Sequence, residues 1–170
     1  MTTADVSMDN GTIHAVDAVI GLPTVFTLAA ADPNFTILAT ALTRSDLSFD
    51  FRGTLSTANG TDPGSYTMFA PTDQSFINLL EELGVDSLED IDEPTLNETL
   101  QMHAVAGKNV LAMDLSDGLT ITTLGGDITA NLTDDGVTLT DGNDRVSIIT
   151  RLNVHASNGV IHITDKVILK

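Results

Sequence analysis

The chain contains no cysteine and no tryptophan, and it has a single tyrosine, Tyr66, among its 170 residues. Without cysteine, disulfide scaffolds, thiolate zinc sites and cysteine nucleophiles are excluded. Aromatic residues make up only 4% of the chain and hydrophobic residues 42%, so we expect one domain with an aliphatic core. No apolar run approaches the roughly 18 residues of a membrane span, and residues 1–9 lack the basic and apolar regions of a signal peptide.

Basic residues are also scarce, because seven Lys and Arg stand against 24 Asp and Glu and give a net charge of −17 at pH 7. Nucleic acid and anionic membrane surfaces are therefore poor partners for this protein. The charge has two interpretations at this point, simple solubility or adaptation to saline surroundings.

Two segments of the chain are nearly the same. Residues 10–20 are NGTIHAVDAVI and residues 158–168 are NGVIHITDKVI, with seven of eleven positions identical at an offset of 148 residues. That offset is about the length of one domain. We therefore predict that residues 1–21 are a tail resembling the closing strand of a preceding repeat, that residues 22–170 form one domain, and that the parent protein carries such domains in tandem.

Three arrangements are open for the tail. Residues 10–20 pair with an open sheet edge, lie apart from the domain, or exchange into a neighbouring molecule and mediate self-association.

Helical signals dominate the first half of the chain. Apolar spacing and capping residues predict four helices, over Thr24–Ala30, onward from Asp32-Pro33, from Thr72 or Asp73 to Gly84, and over Pro94–Val105. Strands are expected at Leu47–Phe51 and Tyr66–Ala70.

The second half has the composition of strands. Runs rich in Thr, Val, Ile and Leu are separated by turn dipeptides such as Asp-Gly, and they are Leu119–Leu124, Ile128–Leu132, Val137–Leu139, Arg145–Val154 and Val160–Leu169. Such runs predict an antiparallel meander of hairpins. Helices followed by strands indicate the α+β class, with the helices covering one side or end of the sheet.

Three segments resemble, in their order and spacing, the fasciclin domain. Tyr66–Phe76 (YTMFAPTDQSF) resembles its first signature, Leu100–Lys108 (LQMHAVAGK) its central tyrosine-histidine segment, and Ala156–Ile168 (ASNGVIHITDKVI) its second signature. Met102 stands where the tyrosine of the central segment usually stands. The resemblance covers residues 23–170, and the tail is similar to the second signature of a preceding domain.

The resemblance implies an α+β fold, a fasciclin-like β-sandwich or wedge with N-terminal helices packed against an antiparallel sheet. It also implies secreted or cell-surface adhesion proteins, periplasmic or extracellular in a bacterium, often with several domains in series. In animal members, integrin binding has been attributed to the tyrosine-histidine segment, and Met102 departs from that pattern.

The motif positions supply the candidate binding residues, which are Met102, His103, Thr72, Asp73, Asn158 and His162. Structural roles are assigned to four further motif residues, which are Pro71, Phe76, Gly159 and Asp165.

Two of these residues have open interpretations. His103 shares the apolar face of Leu96 and Leu100, and it is either a ligand-binding histidine or a core histidine whose ring nitrogens are hydrogen-bonded. Asp165 falls in the apolar phase of the last strand. It is a structural acceptor for backbone N–H groups, a residue at a bulge, or a catalytic acid.

No sequence pattern of an enzyme is present, since the chain lacks a Gly-x-Ser-x-Gly elbow, a His-Glu-x-x-His motif and a glycine-rich phosphate loop. Two acidic groups, residues 89–93 and Asp134-Asp135 with Asp141 and Asp144, are candidate weak Ca²⁺ surfaces, but neither has calcium-loop spacing. A solvated acidic face is the favoured interpretation of both. We therefore predict no cofactor, no metal and no catalysis.

The predicted function is a non-catalytic adhesion or matrix-interaction domain, with cell-surface or matrix proteins or polysaccharides as partners. A carbohydrate- or calcium-dependent ligand-binding module is the alternative. A hydrolase is a third class, and it requires a pocket that joins His103 or His162 to an acid and a nucleophile.

Overall fold

The computed structural model describes residues 3–15, 21–61, 64–134 and 136–170. The helices in these residues are α1 (Val25–Ala31), α2 (Thr36–Leu42), α3 (Phe51–Leu55), α4 (Asp73–Leu83) and α5 (Glu93–Met102). The strands are β1 (Thr3–Met8), β2 (Gly11–Ala15), β3 (Tyr66–Pro71), β4 (Ala104–Ala106), β5 (Leu119–Thr122), β6 (Asp127–Thr133), β7 (Gly136–Thr140), β8 (Val146–Ala156) and β9 (Gly159–Thr164). Short 3₁₀ turns lie at Pro33–Phe35, Leu88–Asp90 and Ala112–Asp114.

Seven strands form one mixed sheet in the order β4-β3-β9-β8-β7-β6-β5. β3 and β9 are parallel, with Met68 opposite Ile161, whereas the other neighbours in this sheet are antiparallel. The prediction of an antiparallel sheet is therefore wrong at this pair. Only strands joined by tight hairpins must be antiparallel, and β3 and β9 are separated by helices and by the whole meander.

The two outer strands of the sheet meet. The N–H of Leu124, just after β5, donates to the carbonyl of Ala104 in β4 at 2.8 Å, and the N–H of Gly125 donates to the carbonyl of Gln101 at 3.1 Å. A Cβ on Gly125 would lie 2.7 Å from the backbone nitrogen of Met102, so glycine permits this close approach. The result is a nearly closed, barrel-like sheet, whereas the family resemblance had implied a β-sandwich or wedge.

Two hydrophobic clusters lie on opposite faces of the central strands. The side chains of Tyr66 and Met68 in β3 pack against the helices, while Phe69 points into the curled sheet with Val105. The scarce aromatic residues are concentrated here, since Tyr66 and five of the six phenylalanines are buried. The core is thus less purely aliphatic than its composition suggested, and β9 is covered on both faces.

Local signals set the helix ends that the sequence predicted. The Thr24 hydroxyl accepts the N–H of Thr27 in a capping box at α1, and Thr72 does the same for Ser75 at α4. Gly84 ends α4 with a φ of 69°, a left-handed conformation that glycine adopts without strain.

Three sequence-based assignments are wrong. The sequence predicts the last strand over Val160–Leu169, but β9 ends at Thr164, before the bend at Asp165. Leu47–Phe51 is not a strand, because the Asp50 carboxylate accepts the N–H of Gly53 at 2.8 Å and starts α3 instead. The predicted helix over Pro94–Val105 ends at Met102, since Ala104–Ala106 pairs with β3 as a strand.

The N-terminal segment forms a two-stranded sheet of its own, in which β1 and β2 are antiparallel. Residues 16–20, with the repeated positions Asp17, Val19 and Ile20, lie outside the described residues. No single helix in the described parts of the chain has the length and apolarity of a membrane span; Val25–Ala31 and Pro33–Leu42 reach it only together, and they are bent by 94°.

Candidate functional site

The first signature forms a corner that joins three elements. The Ser75 hydroxyl, at the start of α4, donates to the carbonyl of Thr164 in β9 at 3.2 Å. The Asp73 carboxylate accepts the backbone N–H of Ile37 at 2.7 Å and the hydroxyl of Thr36, both in α2. Thr72 and Asp73 are partly buried. The second of these contacts, the link from Asp73 to α2, has no local sequence signal because it spans 36 residues.

Two structural residues frame this corner. Pro71 is the buried last residue of β3, where its lack of an N–H ends the ladder. Phe76 is fully buried on the inner face of α4.

His103 is a buried residue with both ring nitrogens engaged. Its Nδ1 lies 2.8 Å from the carbonyl of Thr99, and its Nε2 accepts the backbone N–H of Ile168 at 3.0 Å. Because a carbonyl only accepts and an N–H only donates, Nδ1 carries the proton of a neutral ring. Burial lowers the pKa of His103 to about 4, against the opposing effect of the Thr99 carbonyl. His103 therefore links the end of α5 to the segment after β9.

His162 has a similar arrangement on β9. Its Nε2 lies 2.7 Å from the carbonyl of Val110, and its Nδ1 accepts the N–H of Asn153 at 3.4 Å. The ring stacks on Phe69 with centroids 5.6 Å apart. Burial is also the main reason that the pKa of His162 is lowered.

Asn158 links three parts of the chain from a fully buried position. Its Oδ1 accepts the N–H of Val25 at the start of α1 at 2.8 Å. Its Nδ2 donates to the carbonyls of Leu55 at 2.9 Å and of Thr57 at 2.7 Å. The neighbouring Gly159 has no room for a side chain, because a Cβ would overlap the carbonyl oxygen of Tyr66.

Met102 fills the position of the family's tyrosine from inside the curled sheet. It is 2% exposed, and the hydroxyl of Thr123 lies 3.8 Å from its sulfur. Its contacts are thus with the barrel interior and not with solvent.

Two aspartates accept backbone N–H groups near the end of the sheet. Asp165 accepts the N–H of Ile148 at 2.6 Å. Asp141 is buried, and its carboxylate accepts the N–H groups of Asn143, Arg145 and Leu169, each at 3.0 Å. Sequence reasoning placed Asp141 among acidic surface residues, although its Asp-Gly turn was a usable signal for such an arrangement.

Two side chains of the acidic stretch at residues 89–93 also accept backbone N–H groups. Asp90 accepts the N–H of Ser87 at 2.9 Å, and Asp92 accepts the N–H of Thr95 at 3.1 Å, which is the main reason that the pKa of Asp92 is lowered. Among the described residues, no group of three or more His, Asp or Glu side chains is placed to hold a metal ion.

The sequence-predicted binding residues therefore fall into two sets. Met102, His103, Asn158 and His162 are in the interior, around β3 and β9, and Thr72 with Asp73 forms the α4 corner. The structure does not bring the six together at a surface open to solvent, and their role in binding stays a prediction.

A surface groove lies between the C-terminal end of α1 and strands β8 and β9. It has a volume of about 390 Å³, and its walls include Leu28, Phe35, Val154 and Ile163, with Arg151 as its one basic residue. Sequence reasoning missed this groove because its walls come from distant parts of the chain. Apolar concave surfaces with few polar groups are common interaction sites.

The chain matches the family model of the fasciclin domain over residues 33–170, and it belongs to that family. Uncharacterized protein sll1735 of Synechocystis sp. is 30% identical over 149 residues, which cover 87% of this chain and 98% of that protein. The fasciclin-like arabinogalactan protein of Arthroderma benhamiae is 27% identical over 165 residues, which cover 96% of this chain and 34% of that protein. This chain thus spans nearly all of one relative and about a third of the other.

A FAS1 domain pair from the insect cell adhesion molecule fasciclin I has a similar structure. The TM-score is 0.68 at 20% sequence identity, and the match covers 99% of this chain and 59% of the insect chain. At this level of identity, the similarity shows the fold alone.

Proposed function

We propose that this chain is a non-catalytic adhesion or matrix-interaction domain of a tandem-repeat protein that acts outside the cell or at its surface. The observation that carries the proposal is the burial of the family motifs. His103, Asn158 and His162 are each at most 1% exposed, and each is bonded to backbone atoms. Side chains that are buried and hydrogen-bonded to the backbone stabilise the fold. Contacts with partners are therefore made by other residues, on the surface of a rigid scaffold.

Two of the similar proteins support this proposal, since one is a cell adhesion molecule and the other is a fasciclin-like arabinogalactan protein. The partners we propose are cell-surface or matrix proteins or polysaccharides. A net charge of −17 favours neutral or basic partners, and contacts with basic ones weaken as salt rises.

The groove beside β8 and β9 gives the proposal a site to test. Beads coated with the full chain are measured for adhesion to one another, to cells and to extracted matrix polysaccharide. We expect retention on cells or polysaccharide. The groove is lined by one acidic and one basic residue, Asp32 and Arg151. Arg151→Glu replaces its positive charge with a negative one, and Lys108→Glu makes the same change at an exposed residue outside the groove.

A loss of retention with Arg151→Glu and not with Lys108→Glu would assign the contact to the groove. Retention that disappears with a calcium chelator would identify the calcium-dependent ligand-binding module instead. Beads that bind nothing, even when they carry several domains in series and gain from avidity, would contradict the adhesion proposal.

A further inference from the structure

The N-terminal hairpin repeats the register of the β8–β9 hairpin at the constant offset of 148 residues. The corresponding pairs are Val6↔Ile13 with Val154↔Ile161, Ser7↔Thr12 with His155↔Val160, and Met8↔Gly11 with Ala156↔Gly159. Both hairpins also turn through two residues at the same place, Asp9-Asn10 and Ser157-Asn158.

The irregularity in the two hairpins also corresponds. The pairing of β1 shifts between Thr3 and Val6, and that of β8 shifts between Arg151 and Val154. Beyond the shift, Thr3 faces Ala15, and Arg151 faces Ile163. Such interruptions of a ladder locally bend a strand and are features of a fold rather than defects. A hairpin of unrelated origin has no reason to repeat the turn, the register and the register shift together.

Two of the shared residues, Asn158 and Gly159, are buried in β8–β9 and contact distant parts of the chain. Asn158 binds the backbone of α1 and of the segment after α3, and Gly159 clears the backbone of β3. Their counterparts Asn10 and Gly11 are exposed, and a Cβ on Gly11 meets no described atom within 4 Å. Turn preference accounts for an Asn-Gly pair in any hairpin, but it does not account for the Ile-His pair that follows in both.

We propose that the β1–β2 hairpin closes a second fasciclin domain that precedes this one in the same polypeptide. In β8–β9, β9 pairs in parallel with β3, and β8 pairs antiparallel with β7. By the same register, β2 pairs with a β3-type strand of the preceding domain. The part of β8 that pairs with β7 is Val146–Ile148, which lies before the counterpart of β1, so the preceding domain itself supplies the contact with its β7-type strand. The partner is therefore a shell equivalent to residues 21–150 of this chain. This inference rests on the tandem arrangement in the proposed function.

The test extends the full chain by a copy of residues 21–150, fused directly before residue 3, the counterpart of residue 151. Amide hydrogen exchange is measured at Thr12 and Ile13. An isolated two-stranded hairpin is marginally stable, so exchange is expected to slow on the order of a thousandfold once the hairpin belongs to a folded domain. Thermal unfolding is expected to show two folded units in the extended chain.

Two controls make the result specific. In the extended chain, Asn10→Ala is expected to lower the melting temperature of the added unit alone, and in the unextended chain it is expected to leave unfolding unchanged. A positive control replaces residues 3–20 of the extended chain with a copy of residues 151–168, the authentic closing segment.

If the positive control folds while the extended chain keeps fast-exchanging amides at Thr12 and Ile13, the inference is overturned. A dimer of the unextended chain that disappears on removal of residues 1–20 would also overturn it, because the shell would then come from a second copy. The readout is folding and not adhesion, so a failure of this inference can be distinguished from a failure of the proposed function.

Discussion

The two hairpins of this chain share a register and differ in their surroundings. In β8–β9, Asn158 and Gly159 are buried against α1 and β3, whereas Asn10 and Gly11 in β1–β2 are exposed. We therefore expect the same residue types to contribute very differently to the free energy of unfolding in the two hairpins. The second fasciclin signature therefore reflects mainly the contacts of Asn158 and Gly159 with α1 and β3. The conformational preferences of the turn residues account for only a small part of it.

The largest expected effect compares the two glycines. Gly159→Ala places a Cβ against the carbonyl of Tyr66 and the side chain of Val25, where close packing leaves no room to relax. We expect a loss of at least about 4 kcal/mol in the free energy of unfolding, measured by urea denaturation. Gly11→Ala is the matched control and is expected to change it by less than about 0.5 kcal/mol. Equal losses of free energy of unfolding in the two variants would contradict the expected difference between the two hairpins.

The two asparagines give the next largest difference. Asn158→Ala removes three hydrogen bonds and leaves the N–H of Val25 and the carbonyls of Leu55 and Thr57 without this partner. Each such loss costs about 1 kcal/mol, so a total of about 3 kcal/mol is expected in urea denaturation. Asn10→Ala is expected to be near neutral, and a comparable loss there would show that β1–β2 already has a partner.

The third prediction concerns the loss of stability in acid that results from the buried His103, which is hydrogen-bonded to the segment after β9. The folded state holds the pKa of His103 at about 4, below the value near 6.5 of an unfolded chain. The unfolded state therefore binds more protons between these values, and stability present above pH 6.5 is lost as the pH falls towards 4. The loss from this group is on the order of 3 kcal/mol.

The measurement for this prediction is the free energy of unfolding from pH 7 to pH 4, for the protein and for His103→Gln. The variant is expected to have the shallower pH dependence over this range, whatever its stability at pH 7. Parallel curves would show that His103 does not have to stay neutral in the folded protein.

The smallest effect concerns a local cap. Thr72→Ala removes the hydroxyl that accepts the N–H of Ser75 at 3.3 Å, and we expect a loss of about 1 kcal/mol in thermal or urea unfolding. Thr12→Ala, at an exposed position in β2, is the matched control and is expected to change stability by less than about 0.5 kcal/mol. A neutral Thr72→Ala would mean that Asp73 alone secures this corner.

Features that depend on neighbouring residues could be predicted from the sequence. The start of α4 at a Thr72 or Asp73 cap, the stop at Gly84 and the approximate positions of the meander strands follow from short-range signals. Long-range pairings could not be predicted in this way. The parallel partnership of β3 with β9, and the meeting of Leu124 with Ala104, depend on how the whole chain curls.

The motif residues show the same division. The alternation of the last strand placed Asp165 in an apolar phase, and in the structure its carboxylate accepts the N–H of Ile148. The apolar face of α5 left two roles open for His103, and only the positions of Thr99 and Ile168 show the state of its ring. The groove beside Arg151 has no sequence signature, because α1, β8 and β9 contribute its walls separately.

The position of β9 has a consequence for the order in which this protein assembles. β9 is the last strand in the chain but occupies the middle of the sheet, between β3 and β8. Asn158, just before it, bonds to residues 103 and 133 positions earlier. Such distant closures slow folding. During synthesis on the ribosome, the domain cannot be completed until the segment that contains β9 has emerged. Until then, apolar surface of the helices and of β3 stays exposed to solvent.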